Sequence, residues 1–360
     1  MSGDRMMIYG AYGYTGELAV REAKAAGLEP VLAGRSADKL AAVAARWAPG
    51  LEIRAVGLDD AAALDAALKD IGVVLHCAGP FSDTSRPMVQ ACMRTGTHYL
   101  DITGEMAVFE ALARKDGEAK DAGVMLLPGI GFDVVPTDCM AARLAAKLPG
   151  ATHLELAFSS VGGGTSQGTL RTAVQNLHKG GAVRVDGAIK LVPPAHLVKE
   201  IDFGDGALRS AVSIPWGDVS TAFHSTKIPN ITVYMSAPPK LIRGMRLVRL
   251  IRPVLGLGPV QSFLRSRIAA GPRGPDDAQR ERGVSRVWGA AWDDEGHTVT
   301  DTLQTVEGYT LTARSGLLAA NKVLAGGAKP GFQTPSMAFG ADYVLELDGS
   351  RWGPTAPPSP

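Results

Sequence analysis

The chain has 360 residues, with 37 Lys and Arg against 36 Asp and Glu, so its formal net charge is +1. This length suffices for two domains with sizeable cores, and a hydrophobic content of 46% excludes an intrinsically disordered chain. The balanced charge argues against a protein that coats nucleic acid. The three cysteines show no CxxC spacing, and no apolar run is typical of a leader or long enough to span a membrane. We therefore expect a cytoplasmic protein.

Short apolar runs alternate with helix-forming segments through the first part of the chain. The predicted strands are Arg5–Gly10, Pro30–Ala33, Leu51–Val56, Val73–Cys77, His98–Asp101 and Val124–Leu127. The predicted helices are Thr15–Ala26, Ala37–Trp47, Asp60–Lys69, Arg86–Thr95 and Glu105–Ala122. Buried parallel strands are short and apolar, and their alternation with helices is typical of an α/β fold. We therefore predict a Rossmann-type doubly wound parallel sheet over residues 1–135.

Beyond residue 136 the pattern changes, because strand-like runs follow one another with few helices between them. These runs are His153–Ser160, Ala211–Ile214, Ile231–Ser236, Val284–Asp293 and Val299–Val306. They predict a second, α+β domain over residues 136–330, with a largely antiparallel sheet, for substrate binding or dimerisation. The helix Arg314–Leu324 follows, and the tail 354–360 is expected to be disordered.

A glycine-rich loop, Gly10-Ala11-Tyr12-Gly13-Tyr14-Thr15-Gly16, joins the first predicted strand to the first helix. In such loops one glycine makes a tight turn, a second lets the backbone approach a pyrophosphate, and a third lets the helix pack closely on the strand. The helix N-terminus then offers N–H groups and the positive end of its dipole to the anion. The pattern predicts a dinucleotide site that includes Gly10, Tyr12, Gly13, Tyr14, Thr15 and Gly16, and the alternative is a purely structural turn.

The end of the second predicted strand indicates which dinucleotide is bound. An acid about 20 residues beyond the loop holds the ribose 2′-OH of NAD, whereas an arginine accommodates the 2′-phosphate of NADP. Arg35 lies 19 residues after Gly16, and no acid occurs there before Asp38. Ser36 adds a hydroxyl and can cap the following helix. We therefore predict NADP(H), held by Arg35 and Ser36, the alternative being a solvated arginine beside a plain N-cap.

Other dinucleotide enzymes require residues that this chain lacks. Short-chain dehydrogenases need a Tyr-x-x-x-Lys pair, and none of the seven tyrosines has a lysine four residues later. Acyl-phosphate reductases need a cysteine nucleophile, but Cys77, Cys92 and Cys139 lack the surrounding sequence of those enzymes and are interpreted as packing residues. No cluster of His, Cys, Asp or Glu has metal-ligand spacing, so no metal site is predicted.

Several further segments resemble the saccharopine dehydrogenase-like oxidoreductases, and among these the trans-acting enoyl reductases of polyketide-lipid synthesis. Besides the glycine-rich loop they are AGRSADKL after the second strand, His76–Phe81, Gly96–Glu105, Gly131–Asp138 and Gly331–Pro335. The resemblance implies an NADP-linked Rossmann domain and a mixed-sheet second domain, with reduction of a C=C or C=N bond between them. It also implies that residues near the chain end, about 331–350, rejoin the first domain.

The resemblance implies that the segment after the fourth strand, with Ala78, Gly79 and Pro80, lies along the cofactor. Asp101 and Glu105, with Tyr99, become catalytic candidates at the nicotinamide end. The residues themselves leave alternatives open, because Asp101 can cap the next helix and Glu105 can be a first-turn acid favoured by the helix dipole.

The resemblance also implies substrate contacts at Phe132 and Asp133, which follow the sixth strand and face the same crevice, although Asp133 can also be a structural turn residue. A second glycine loop opens another helix, and its Gly164 and Thr165 can bind an anionic or carbonyl group or form an ordinary turn. Hydride transfer also requires a proton donor, for which Tyr14, Tyr99 and His98 are available.

Between Val219 and Pro275 there are nine basic residues and no acid, so the rest of the chain is net acidic. Within the basic-apolar insertion, residues 238–270, the charges recur at every third position and sweep around a helix, which makes a stable solvent-facing helix doubtful. The alternatives are a solvated lid, a subunit contact, and a peripheral foothold at residues 240–267 on an anionic membrane or on a lipid substrate. Aromatic residues are not interleaved with the charges, so nucleic acid is not expected as a partner.

The sequence thus favours an NADPH-dependent reductase of an enoyl C=C bond in a hydrophobic lipid or polyketide substrate. The alternatives are a saccharopine-type C–N dehydrogenase acting on an amino-acid imine, and a non-catalytic NADP-binding protein associated with membranes. We further expect a homodimer.

Overall fold

The computed structural model describes residues 3–176 and 180–354, without the side chains of residues 175, 176 and 248–254. Apart from Pro354, the tail expected to be disordered lies outside the described residues. In the first part of the chain the elements are, in order, β1 (Arg5–Tyr9), α1 (Tyr14–Ala25), β2 (Val31–Gly34), α2 (Ala37–Trp47), β3 (Ile53–Ala55), α3 (Ala61–Leu68), β4 (Ile71–His76), α4 (Phe81–Thr95), β5 (His98–Asp101), α5 (Met106–Ala113), α6 (Asp116–Asp121), β6 (Met125–Leu127) and α7 (Val135–Lys147).

The remaining elements include several strand pairs and three long helices. They are β7 (His153–Val161), α8 (Gln167–Asn176), β8 (Gly181–Val185), β9 (Ala188–Val192), β10 (Val198–Asp202), β11 (Leu208–Ser213), α9 (Asp218–Thr226), β12 (Asn230–Ser236), α10 (Pro239–Leu255), α11 (Gly258–Ala269), α12 (Asp277–Arg282), β13 (Val284–Trp292), β14 (Thr298–Val306), α13 (Gly308–Lys322), β15 (Gly331–Phe332), α14 (Pro335–Phe339) and β16 (Arg351–Trp352). A π-helical turn at Val323–Gly327 extends α13, and a 3₁₀ turn spans Ala341–Glu346.

Seven parallel strands form the first sheet, in the order β15-β6-β5-β4-β1-β2-β3. The strand order reverses direction at β1, and open α/β sheets bind ligands at the carboxyl ends of the strands beside such a point. β1, β2, β4 and β6 are almost wholly buried, which explains why they appear in the sequence as short apolar runs. The predicted doubly wound parallel sheet is confirmed.

A mixed sheet of nine strands forms in the second part of the chain. Its main path runs β10-β11-β12-β7-β13-β14-β16, and β8 pairs with β12 and β9. Only β7 and β12 are parallel, so the sheet is largely antiparallel, as predicted. The strands β9 and β10 were not predicted, because their side chains are largely exposed and give little apolar alternation. The strand β8 is largely buried and was also not predicted.

The chain divides into two compact units, Met1–Val135 with Tyr309–Ala338, and Pro136–Gly308 with Phe339–Pro360. Because α13 packs on the first sheet, the returning segment begins at Tyr309 rather than at about residue 331, and it ends at Ala338, before the expected residue 350. A Cβ atom added to Gly316 would lie 2.9 Å from Leu75 of β4, so the missing side chain permits this close packing. Arg314 also pairs with Glu22 of α1, at 2.9 Å.

Three local predictions differ from the structure. The segment expected to form a poor helix is helical over Pro239–Leu255. Most of its described side chains are exposed, so the helix does not need a segregated apolar face. The high helix propensity of its Leu, Arg and Met residues favours the helix instead. The predicted helix Glu105–Ala122 is two helices, α5 and α6. Ser36 occupies the N-cap position of α2, but its side chain makes no capping hydrogen bond.

Candidate active site at the carboxyl edge of the first sheet

The glycine-rich loop lies where β1 ends, and close backbone contacts fix its path. Gly10 has a φ of +82°, and its N–H donates to Ala33 O of β2 at 2.7 Å. A Cβ at Gly10 would lie 2.9 Å from Ala78, and one at Gly16 only 2.2 Å from Gly10 O. Both positions therefore require glycine, Gly10 for its left-handed turn and Gly16 because the helix packs directly on the loop.

The N-terminus of α1 follows this loop directly. Its N-cap residue Gly13 has no side chain, and the first intrahelical bond runs from Glu17 N–H to Gly13 O at 2.8 Å. The amides of Thr15 and Gly16 precede that bond, so they belong to the helix end that attracts anions. Tyr12 packs on β2, since a Cβ at Gly34 would lie 2.7 Å from its ring. This cradle fits a pyrophosphate group.

Arg35 and Ser36 follow β2 at the same edge of the sheet. Arg35 is exposed and has no hydrogen bond or ion pair with the described residues. Its guanidinium is therefore available to a phosphate, which it can bind through two parallel hydrogen bonds. Ser36 is half-buried beside it.

Hydrogen bonds from two helices hold the exit of β4. The hydroxyl of Thr84 donates to Ala78 O at 2.7 Å and lies 3.1 Å from Pro80 O, and the peptide bond between Gly79 and Pro80 is cis. The carboxylate of Glu105 accepts from Phe81 N–H at 2.8 Å and Ser82 N–H at 3.2 Å. Glu105 thus caps the N-terminus of α4, where the helix dipole favours a negative charge.

Tyr99 and Asp101 form a buried pair on β5. The Tyr99 hydroxyl donates to Asp101 Oδ2 at 2.6 Å, and Oδ1 accepts from the N–H groups of Thr103 and Gly129, both at 2.9 Å. Neither side chain is exposed, and burial raises the pKa of Asp101 to about 6 although these bonds favour its charged form. The pair anchors the loops that follow β5 and β6, so its place in the fold is structural.

Asp133 is a half-buried carboxyl group at this edge of the sheet, and it has no partner among the described residues. It follows β6 and makes no hydrogen bond or ion pair with them. A Cβ at Gly104 would lie 2.5 Å from Asp133 Oδ2, so the loop after β5 closes directly over this carboxyl. Burial raises the pKa of Asp133 to about 7, which allows it to hold or release a proton near neutral pH.

Helix α13 fixes the loop that carries Phe132 and Asp133. The Phe132 N–H donates to Thr312 Oγ1 at 2.9 Å, and a Cβ at Gly131 would lie 2.8 Å from Thr312. At the start of the same helix, Tyr309 contacts Tyr14 edge-on, with 5.1 Å between ring centroids. Sequence reasoning missed Tyr309 and Thr312, because no local spacing links them to loops nearly 200 residues or more away.

Three further titratable groups have structural positions, namely His98 at the start of β5, His76 at the end of β4, and Cys77 directly after it. His98 Nδ1 accepts from Met125 N–H at 3.1 Å, and burial lowers the pKa of His98. His76 is fully buried beside Thr84, and burial lowers its pKa to about 3, so it is neutral. Burial also raises the pKa of Cys77 to about 12, which does not suit a nucleophile.

Two further groups lie in the second unit. Gly164 and Thr165 occupy an exposed loop before α8, whose first turn is capped when Ser166 Oγ accepts from Thr169 N–H at 3.2 Å. At the turn between β13 and β14, the potential metal-ligand atoms of Asp293, Glu295 and His297 lie within 4.8 Å of one another, a cluster that the sequence analysis did not anticipate. Asp293 already accepts three bonds within that exposed turn, which accounts for the cluster.

The parallel sheet, the glycine-rich loop and the free arginine after β2 define a dinucleotide-binding domain. Comparison with known families assigns it more closely: residues 6–127 match the saccharopine dehydrogenase NADP-binding domain. The first part of the chain is therefore similar to that domain family, and NADP is the cofactor that the family's description names. The predicted resemblance and the predicted cofactor are confirmed.

Curated relatives carry consistent names. A Bos taurus protein named saccharopine dehydrogenase-like oxidoreductase is 30% identical over 192 residues, which are 47% of this chain and 45% of that protein. A Mycobacterium bovis protein named trans-acting enoyl reductase is 32% identical over 139 residues, 37% of this chain and 33% of that one. The chain spans about half the length of the first of these relatives and less of the second.

Solved structures share the fold across nearly the whole chain. Saccharopine dehydrogenase (L-Glu forming) from Saccharomyces cerevisiae aligns with a TM-score of 0.63 at 15% identity, covering 96% of both chains. Homospermidine synthase from Legionella pneumophila, solved with NAD, aligns with a TM-score of 0.61 at 10% identity, covering 98% of this chain and 92% of that one. At these identities the likeness extends to the fold alone.

Proposed function

We propose that the protein is an NADPH-dependent reductase of a C=C bond conjugated to a carbonyl group in a hydrophobic substrate. The observation that carries this proposal is the half-buried, unpartnered Asp133 at the carboxyl edge of an NADP-binding sheet. The name of the mycobacterial relative supports the same reaction class.

When bound, NADPH would supply the hydride that adds to the carbon β to the carbonyl group. Reduction then requires one proton at the α-carbon, and Asp133 is suited to donate it because its raised pKa keeps a large fraction protonated near pH 7. Water reprotonates the carboxylate after each turnover. The hydride and the proton together add two hydrogen atoms across the C=C bond, which gives the saturated product.

The other residues of this edge bind and orient. The amides at the start of α1 would hold the pyrophosphate of the cofactor, and Arg35 would hold its 2′-phosphate. Glu105 and the Tyr99–Asp101 pair act indirectly, because they fix the loops that carry Phe81 and Gly129. Phe132 is half-buried next to Asp133 and supplies an apolar surface for the substrate.

A panel of 2-enoyl thioesters of increasing chain length, incubated with NADPH, tests the proposal. We expect the saturated product, deuterium from 4-deuterated NADPH at the β-carbon, and solvent deuterium at the α-carbon. A second candidate, dehydrogenation of a C–N bond, is favoured by the name of the Bos taurus relative. Oxidation of saccharopine-type secondary amines with NADP⁺, without enoyl reduction, would replace our proposal by this one.

A further inference from the structure

Helices α8, α10 and α11 form a surface that the proposed reaction does not use. α8 and α11 pack antiparallel: Gln261 Nε2 donates to Val174 O at 3.0 Å, and Gln167 Nε2 donates to Gly271 O at 2.8 Å. Gln261 also donates to Leu255 O at 2.7 Å, which ties the end of α10 to the start of α11. Within the side chains that the structure describes, we call the exposed ones of these helices and of the turn between α10 and α11 the basic helical surface.

The basic helical surface exposes large apolar side chains. Five of the eleven large hydrophobic residues that are exposed among the described residues lie here, namely Leu170, Leu241, Leu247, Leu257 and Phe263. Leu247 is 64% and Phe263 63% exposed, so most of each side chain faces solvent. Large apolar side chains exposed together on neighbouring helices are typical of an interaction site.

Positive charge surrounds these apolar side chains. Arg243 lies one helical turn before Leu247, and Arg267 one turn after Phe263, so each pair shares a face of its helix. Both arginines are exposed, as are Lys240, Arg246 and Arg265. None of the three helices contains an acidic residue, and neither does any position from 219 to 275.

We propose that the basic helical surface binds peripherally to a membrane that contains anionic lipid. Basic side chains attract anionic headgroups, while Leu and Phe side chains enter the boundary with the acyl chains. A second copy using the same surface would place positive charge against positive charge, which disfavours a symmetric dimer contact here. Among the described helices none has the length and hydropathy to cross a membrane, so the contact we propose lies along the surface.

Co-sedimentation of the full chain with vesicles tests this proposal. We expect binding to phosphatidylcholine vesicles that contain phosphatidylglycerol, weaker binding at high salt, and little binding to phosphatidylcholine alone. Because each basic residue near the surface contributes roughly fivefold, Arg243→Gln/Arg246→Gln/Arg267→Gln should weaken binding about 100-fold. Phe263→Ser should weaken it about tenfold at unchanged charge, through the loss of apolar burial.

Two control variants test whether vesicle binding depends on the basic helical surface or only on net charge and exposed apolar area. Lys24→Gln/Lys69→Gln/Lys190→Gln removes the same charge from exposed positions elsewhere, and Leu191→Ser removes an apolar side chain that is 75% exposed on β9. Both should leave vesicle binding unchanged. Equal binding to neutral vesicles, or equal losses in the matched variants, would overturn the proposal, as would sedimentation velocity showing a dimer that Phe263→Ser dissociates.

Discussion

The hydroxyl of Tyr99 donates a 2.6 Å hydrogen bond to Asp101, and both side chains are fully buried on β5. A substrate cannot reach this pair, so we predict an effect on stability rather than on chemistry. Tyr99→Phe leaves Asp101 Oδ2 without its donor and should lower the free energy of unfolding by about 1–3 kcal/mol, measured by urea denaturation.

Tyr234→Phe provides a comparison for that variant. Tyr234 also donates to a carboxylate, but its partner Glu155 keeps an ion pair with Lys199, so the loss of unfolding free energy should be smaller. A drop in kcat of the folded Tyr99→Phe enzyme by more than about tenfold would instead place Tyr99 in the chemistry.

Substitution of Asp133 should remove the proton donor while keeping its shape. Asp133→Asn is expected to lower kcat by about 100- to 10,000-fold with little change in KM or in NADPH affinity. Steady-state kinetics and cofactor titration measure these quantities. The wild-type rate should fall as pH rises above about 7, the pKa of Asp133, and the variant should lack this limb. Unchanged kcat in Asp133→Asn would exclude this role.

The same carboxyl should make folding depend on pH. Because burial raises the pKa of Asp133 to about 7 in the folded protein, from about 4 when unfolded, the folded state holds the extra proton between these values. The contribution of Asp133 to the free energy of unfolding is therefore fully present below about pH 4, and it is lost as the pH rises through about 7. Asp133→Asn should flatten this dependence and raise the melting temperature at pH 8, whereas Asp59→Asn, at an exposed position, should not.

Arg35 should select between the two dinucleotides. We predict that Arg35→Gln weakens NADPH binding about 10- to 100-fold and leaves NADH binding unchanged, since only NADPH carries the 2′-phosphate. Fluorescence titration with each cofactor measures both affinities. Arg46→Gln, an exposed arginine at the other end of α2, serves as the control. Equal loss for both cofactors would contradict a 2′-phosphate contact.

The helix–loop contact at Gly16 should not tolerate a side chain. A Cβ there would lie 2.2 Å from Gly10 O, so Gly16→Ala must displace the loop and should abolish NADPH binding at micromolar concentrations. Gly117 in α6 has open space around its Cα. Gly117→Ala should therefore raise the free energy of unfolding by roughly 0.5–1 kcal/mol and leave cofactor binding unchanged, since alanine favours helix more than glycine does.

The sequence by itself determined the features that depend on local pattern. Buried parallel strands must be apolar along their whole length, so β1, β2 and β4 are recognisable as short runs. A strand-to-helix turn that approaches a phosphate needs glycines at fixed spacing, which located Gly10 and Gly16. The distance along the chain from that turn to Arg35 is likewise set by one helix and one strand.

Only the tertiary structure decided which polar residues are accessible. Asp101 ends β5 and Asp133 follows β6 of the same sheet, yet the fold pairs the first with Tyr99 and leaves the second beside Gly104 without a partner among the described residues. It also brings α13 onto the first sheet, far in sequence from β4. A carboxyl's partners and burial depend on contacts between distant segments, and these contacts leave no periodic signal in the sequence.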